Sequence, residues 1–207
     1  MHAYARLFLA AMAVLIAGGC KTPPPVKPVA KVRMPSGEYV LQQGPRPRKY
    51  FLHLPAGRED EDDLPLVIAL HGWPGNARNL MENSGLNQKS DSAGFIVAYP
   101  DGTGAGDPAI LNWNTGHCCG HAALKYVDDV GFFRLLAAHL VSHHGAARNR
   151  IYVAGFSKGG MMAQRLACDA ADLFAGIADI SGALNFEPCL PRKPVAVFMS
   201  HGRADRN

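Results

Sequence analysis

Ile151-Tyr152-Val153-Ala154-Gly155-Phe156-Ser157-Lys158-Gly159 decides how this chain folds, because an apolar run of strand character breaks at Gly-x-Ser-x-Gly and passes directly into a helix-forming stretch. In a nucleophile elbow the serine sits on a strained turn between strand and helix that lifts its hydroxyl clear of the sheet. The flanking glycines are required because a Cβ there would collide with the neighbouring strand or helix. A buried strand before the turn and a helix after it also set the architecture, since both belong to a parallel α/β unit.

Working outward from the elbow, the same alternation recurs. Residues 39–42 and 49–54 read as two strands around Gly44-Pro45, followed by a charged loop over 58–63. Residues 64–70 form a continuous apolar run of strand length, as expected of a central strand covered on both faces. The pattern then predicts a helix over about 76–91 and a buried strand over 95–99, closed by Pro100-Asp101-Gly102. A long loop over 102–126 holds Trp113 and two adjacent cysteines, and loops of that length inside a compact domain are usually functional or pinned. Residues 128–143 read as a helix with Val130, Phe133, Leu136, Ala137 and Leu140 on one stripe. Past the elbow helix, residues 177–181 and 195–200 read as strands, the latter buried and ending in His201-Gly202. The sum is a doubly wound, mostly parallel α/β sheet flanked by helices, which binds ligands at the carboxyl ends of its strands.

Charge and the N-terminal segment narrow the functional classes. The formal net charge of +4 divides unevenly: residues 21–50 hold seven Lys/Arg against Glu38 alone, whereas 51–207 hold thirteen Lys/Arg against sixteen Asp/Glu, a net of −3. The folded body is mildly acidic, which argues against nucleic acid as a partner. Residues 1–19 carry Arg6, an apolar run over 7–17 that is too short to span a bilayer, and Gly18-Gly19, and they read as an export signal. Cys20 after small residues matches a lipobox, although Ala17 stands where leucine is usual, so lipidation at Cys20 with membrane anchoring and ordinary secretion both stay open. Residues 20–37, rich in proline and lysine, are expected to be an extended tether, leaving 38–207 as the domain. Cys118, Cys119, Cys168 and Cys189 suit disulfides in an exported chain. A bond between adjacent cysteines is expected to be strained, so Cys118 and Cys119 are each expected to pair with one of the distant two or to stay free. Zinc is the alternative, since His117 and His121 flank the pair, but the spacing matches no usual zinc pattern. The sequence shows no need for a metal or cofactor and is silent on oligomeric state.

A serine hydroxyl needs a base to take its proton and donors to hold the oxyanion that forms. In this geometry the N–H of the residue after the nucleophile, Lys158, faces the oxyanion, with the opening helix adding a favourable dipole. The second donor is expected from His71-Gly72-Trp73-Pro74-Gly75, which follows the strand at 64–70; Trp73 is the choice because Pro74 has no N–H. Asp205, just past the last strand, is the candidate triad acid, and His71 and Trp113 are candidates to line the substrate cleft, although Trp113 and Asn112 could equally serve to close the long loop. In this architecture the order along the chain is Ser, Asp or Glu, then His, yet all nine histidines precede Asp205. His201 is the nearest and is expected to buttress its loop. His117, His121, His143 and His144 are expected to be solvated, and Asp128 and Asp129 to cap the helix that follows them.

At these residues a resemblance becomes specific. Gly155 through Met162, together with His71-Gly72, Tyr99-Pro100-Asp101-Gly102, Asn112-Trp113-Asn114, Cys118-Cys119-Gly120, Val127-Asp128-Asp129-Val130-Gly131-Phe132 and His201-Gly202 through Asp205, resembles the polyhydroxybutyrate depolymerase and feruloyl esterase family of α/β hydrolases. The resemblance covers roughly residues 45–207. It implies hydrolysis of carboxylic esters, of a polyester or of feruloyl-type plant cell-wall esters, through an acyl-enzyme on Ser157 with Asp205 as triad acid. It also implies that the family's last strand, terminal helix and histidine lie downstream of this sequence, so the 207-residue chain is expected to be nearly inactive, with an exposed sheet edge. The rival expectation is a binding module, or a broken fragment, that keeps the ester pocket without turnover. Lys158 stands where the family commonly has asparagine, and Trp73 where it more often has a small residue or cysteine; these bear on the acyl pocket rather than on the mechanism.

Overall fold

The computed structural model describes residues 33–205. The chain divides into units Met1–Lys31 and Val32–Asn207, and the structure below is that of the second. The expected signal, most of the tether and the lipidation site at Cys20 lie outside the described residues.

Seven strands form one sheet: β1 (Gly37–Gln43), β2 (Arg46–His53), β3 (Leu64–Leu70), β4 (Ile96–Pro100), β5 (Ala146–Phe156), β6 (Gly176–Ile180) and β7 (Ala196–Ser200), in the order β1-β2-β4-β3-β5-β6-β7. β1 and β2 form an antiparallel hairpin, and β2 runs antiparallel to β4; every remaining pair is parallel. The reversal of direction along the order, from β4 back to β3 and then on to β5, places the carboxyl end of β5 near the middle of the sheet, where an α/β sheet binds its ligands.

Two apolar clusters show how the sheet is covered. Leu66, Ile68 and Leu70 of β3 point into a cluster with Phe132, Phe133, Leu136 and Leu140 of α4 (Asp129–His144) and Met162 and Leu166 of α5 (Lys158–Asp169). The alternate residue Ala69 joins Phe51, Val97 and Tyr99 beneath α1 (Ala77–Asn83), with Leu86 of α2 (Leu86–Ala93) packed against them. A strand with apolar partners on both faces carries an unbroken apolar sequence, as β3 does. Each fully buried leucine or phenylalanine contributes roughly 1.5–3 kcal/mol relative to exposure.

Local chemistry sets the helix ends. The Asp128 side chain accepts from the Gly131 N–H at 2.8 Å and caps α4, while left-handed Gly145 closes it. Asp129, the other expected cap, instead forms a buried ion pair with Arg48 at 2.7 Å and accepts from Asn114 N–H at 2.7 Å, pinning the long loop to the hairpin. The single helix expected over 76–91 is two, because the chain turns left-handed at Gly85 (φ +68°) between them. The long loop contains one short helix, α3 (His121–Leu124). The last strand also departs from expectation: all five residues of β7 are exposed, including Val197, Phe198 and Met199, and β7 pairs along one side with β6. Its apolar sequence predicts burial, yet Val197, Phe198 and Met199 are half or more exposed.

Candidate active site

β5 ends at Phe156 and α5 begins at Lys158, so Ser157 is the whole connection. Its backbone lies at φ +52°, ψ −115°, a conformation that costs a non-glycine residue roughly 1–3 kcal/mol and persists where its surroundings enforce it. Ser157 N–H donates to Ile180 O at 2.8 Å, and its carbonyl accepts from Met161 N–H at 3.0 Å. The neighbouring glycines are obligatory for reasons of space. A Cβ on Gly155 would lie 2.1 Å from Gly159 O, one on Gly159 2.3 Å from Leu70 O, and one on Gly160 2.1 Å from Asp179 Oδ1. The helix start is therefore pressed against the ends of β3, β5 and β6. The Ser157 side chain is half-buried, and its hydroxyl has no hydrogen-bond partner among the described residues.

The loop after β3 lies alongside. Leu70 pairs with Gly155, which brings His71-Gly72-Trp73 next to the elbow, and a Cβ on Gly72 would stand 3.4 Å from that of Ser157. The His71 ring is buried rather than open to a cleft. Its Nε2 accepts from Gly102 N–H at 3.0 Å, which fixes the hydrogen on Nδ1, and that group donates to Gly72 O at 2.7 Å. Burial lowers the His71 pKa, in keeping with a neutral ring. Trp113 is buried too, at 0% exposure, with its Nε1–H donated to His71 O at 3.0 Å and its ring 4.9 Å from the His71 ring. The expectation that His71 lines the substrate cleft is corrected, and of the two readings of Trp113 the structure favours loop closure: both side chains are spent on holding the main chain of the loop. Asn112 closes the loop in the same way, accepting from Ala122 N–H at 2.9 Å. Trp73 itself is 56% exposed and borders a cleft of about 380 Å³ with Ile110, Asp107 and His121.

The cysteines pair differently from expectation. Cys118 bonds to Cys119, and Cys168 at the end of α5 bonds to Cys189. The 118–119 peptide is cis, with Cα atoms 3.3 Å apart. With their sulfurs bonded to each other, Cys118 and Cys119 offer no thiolate to a metal. The pair instead sits against Lys158, a residue 6% exposed whose ammonium donates to Cys118 O at 2.9 Å and Cys119 O at 3.0 Å, with each sulfur at 3.6 Å. Burial brings the Lys158 pKa down to about 8.

At the far side, Phe156, Ile180 and Ser200 lie side by side in register, so Ser157 and the 201–205 turn leave the same end of the sheet. They are two strand spacings apart, about 10 Å. His201 Nδ1 lies 3.5 Å from Asp205 Oδ2, and its Nε2 is 2.9 Å from Gly182 O. His144 contradicts its expected solvation: it is fully buried under the hairpin, near Tyr39 and His139. Two contributions to the site are not legible in the sequence motifs. One is the clasp of the Lys158 amine on the Cys118–Cys119 turn, since the sequence ties that side chain only to the acyl pocket. The other is Asp179, whose Oδ1 accepts from Gly182 N–H at 2.8 Å and whose Oδ2 accepts from Gln164 at 3.0 Å, bracing the elbow from β6. A carboxylate inside the apolar strand Gly176-Ile177-Ala178-Asp179-Ile180 is the signal that marks it.

Strand order, a left-handed serine between β5 and α5, and glycines excluded from any larger residue define an α/β hydrolase. Solved structures agree on the fold: an acetyl xylan esterase from Aspergillus awamori superposes with a TM-score of 0.58 at 21% identity, over 71% of this chain and 52% of that one. An S-formylglutathione hydrolase from Agrobacterium tumefaciens gives 0.57 at 19% identity, over 70% and 57%. Within that class the chain belongs to the Esterase PHB depolymerase family, whose pattern matches residues 48–204. It is 36% identical over 196 residues to NocK of Nocardia uniformis subsp. tsuyamanensis, covering 89% of this chain and 52% of NocK. It is 32% identical over 163 residues to feruloyl esterase B of Piromyces equi, covering 76% of this chain and 29% of that protein. The chain thus spans about half, or less, of the length of these relatives.

Proposed function

We propose that this protein hydrolyses carboxylic esters through an acyl-enzyme on Ser157. The observation that carries the reading is the forced geometry of that serine: φ +52° between a central strand and a helix, with three glycines packed where no Cβ fits. In the reaction the Ser157 oxygen attacks the ester carbonyl, the carbonyl oxygen takes up negative charge between the N–H groups of Lys158 and Trp73, and the alcohol leaves as the acyl-enzyme forms. Water then repeats the attack. Each oxyanion donor is worth about 3 kcal/mol of transition-state stabilisation. Asp205 orients the imidazole that takes the serine proton. His201 touches Asp205 but turns its other nitrogen to Gly182 O, an arrangement that suits a buttress of the loop rather than the base. Two disulfides favour an oxidising compartment, and export with lipidation at Cys20 is the accompanying proposal. Substrates of the polyester or feruloyl type fit the exposed Trp73 beside its cleft.

The test separates the nucleophile from its base. A thiol is acidic enough to be acylated without an imidazole, so Ser157→Cys treated with p-nitrophenyl acetate is expected to release one equivalent of p-nitrophenolate and to gain one acetyl group at position 157 in peptide mapping. Ser157→Ala is expected to gain none there. Absence of saturable acylation at 157 overturns the assignment.

A further inference from the structure

Lys158 is placed against ordinary preference. A cation at a helix N-terminus opposes the helix dipole, and a buried ammonium group is normally matched by a carboxylate. Lys158 begins α5, is 6% exposed and pairs with no carboxylate among the described residues. Its partners are two main-chain carbonyls, Cys118 O and Cys119 O, at 2.9 and 3.0 Å, on a turn closed by its own disulfide. That turn is itself fixed, because Thr115 Oγ1 donates to Cys118 O at 2.9 Å. A local conflict of this kind, sited one residue from a nucleophile, is where functional demand is expected to override stability.

We propose that Lys158 is a positioning residue: its ammonium group clasps the Cys118–Cys119 turn and so fixes the first turn of α5, including its own oxyanion-facing N–H, relative to Ser157. This rests on the ester-hydrolase reading above. An asparagine here would be too short, and without charge, to bridge the two carbonyls in the same way. Burial lowers the pKa to about 8, which still leaves most of the ammonium protonated at neutral pH.

Two readouts on the full chain test the proposal. The first is the rate at which a phosphine reductant opens Cys118–Cys119, followed by alkylation and peptide mass analysis. Lys158→Met is expected to speed that reduction by about fivefold or more and Lys158→Arg to leave it near the starting value, while Cys168–Cys189, the internal control, keeps its rate in both. The second is the acetylation of Ser157→Cys carrying the same substitutions. Lys158→Met is expected to lower the maximal acylation rate about tenfold with the half-saturating ester concentration unchanged, and Lys158→Arg to restore most of it. Cys118→Ala/Cys119→Ala, which leaves the lysine in place, is expected to reproduce the tenfold loss and guards against a Lys158→Met chain that fails to fold. Unchanged reduction of Cys118–Cys119, or an unchanged maximal rate in Lys158→Met, overturns the proposal while leaving Ser157 as nucleophile. Failure of Ser157→Cys itself to acylate, with reduction still accelerated in Lys158→Met, overturns the ester-hydrolase reading and the oxyanion role of Lys158 with it, leaving only the clasp.

Discussion

Acidification is expected to weaken this fold through His144. The ring is fully buried beneath the β1–β2 hairpin, and neither nitrogen makes a hydrogen bond of good geometry. Burial is the main cause that brings its pKa down from 6.5 to about 4, helped by His139, His143 and Arg33 nearby, with the Met34 backbone acting weakly in the opposite sense. A histidine whose folded pKa is depressed binds fewer protons in the native than in the unfolded chain between those two values. Stability is therefore intact above pH 6.5, falls as pH drops through that window, and reaches its full loss below pH 4. At pH 5 the loss is about 2 kcal/mol, rising toward about 3 kcal/mol when the whole shift is expressed. The assay is urea unfolding followed by tryptophan fluorescence at pH 7.5 and pH 5, comparing the protein with His144→Leu. The leucine variant should lose less stability on acidification, by about 2 kcal/mol. Equal losses in the two proteins would refute the argument that a buried neutral imidazole sits at this position.

Three further expectations concern the framework of the site. Asp129→Ala leaves Arg48 buried without its partner and should cost about 3–5 kcal/mol in urea unfolding, whereas Asp129→Leu combined with Arg48→Met should cost much less. Gly159→Ala forces a methyl group to 2.3 Å from Leu70 O, where only main chain can yield; it should destabilise by about 1–3 kcal/mol and abolish acylation of Ser157→Cys, seen by thermal unfolding and mass analysis. Trp113→Phe keeps an aromatic ring but strands His71 O, so it should cost about 1–3 kcal/mol and slow acylation, although the tryptophan touches no substrate.

The elements most legible from sequence are those whose signal is local. β3 is found at the residues its apolar run predicts, because a strand sandwiched between two helix layers has no solvent face to interrupt the run. The elbow is equally legible, since Gly-x-Ser-x-Gly records a steric requirement directly. What the sequence concealed depends on partners distant along the chain. Apolar character at 195–200 predicts a buried strand, but burial is decided by what packs above, and β7 is exposed on its faces. His71 and Trp113 look like cleft residues when read as motif letters, yet the hydrogen bonds to Gly72, Gly102 and the His71 carbonyl turn them inward. The Cys118–Cys119 bond runs against the strain expected of adjacent cysteines, and Lys158 cannot be linked to that turn from sequence alone, because the two lie forty positions apart.

Most directly, the account can be tested by the crystal structure of acetylated Ser157→Cys. The acyl carbonyl oxygen is predicted to lie 2.7–3.1 Å, within about 0.2 Å, from both the Trp73 and the Lys158 backbone nitrogens, the geometry of a working oxyanion site. An acyl oxygen turned to solvent, or one held by neither amide, would contradict the claim that this elbow is built for ester chemistry.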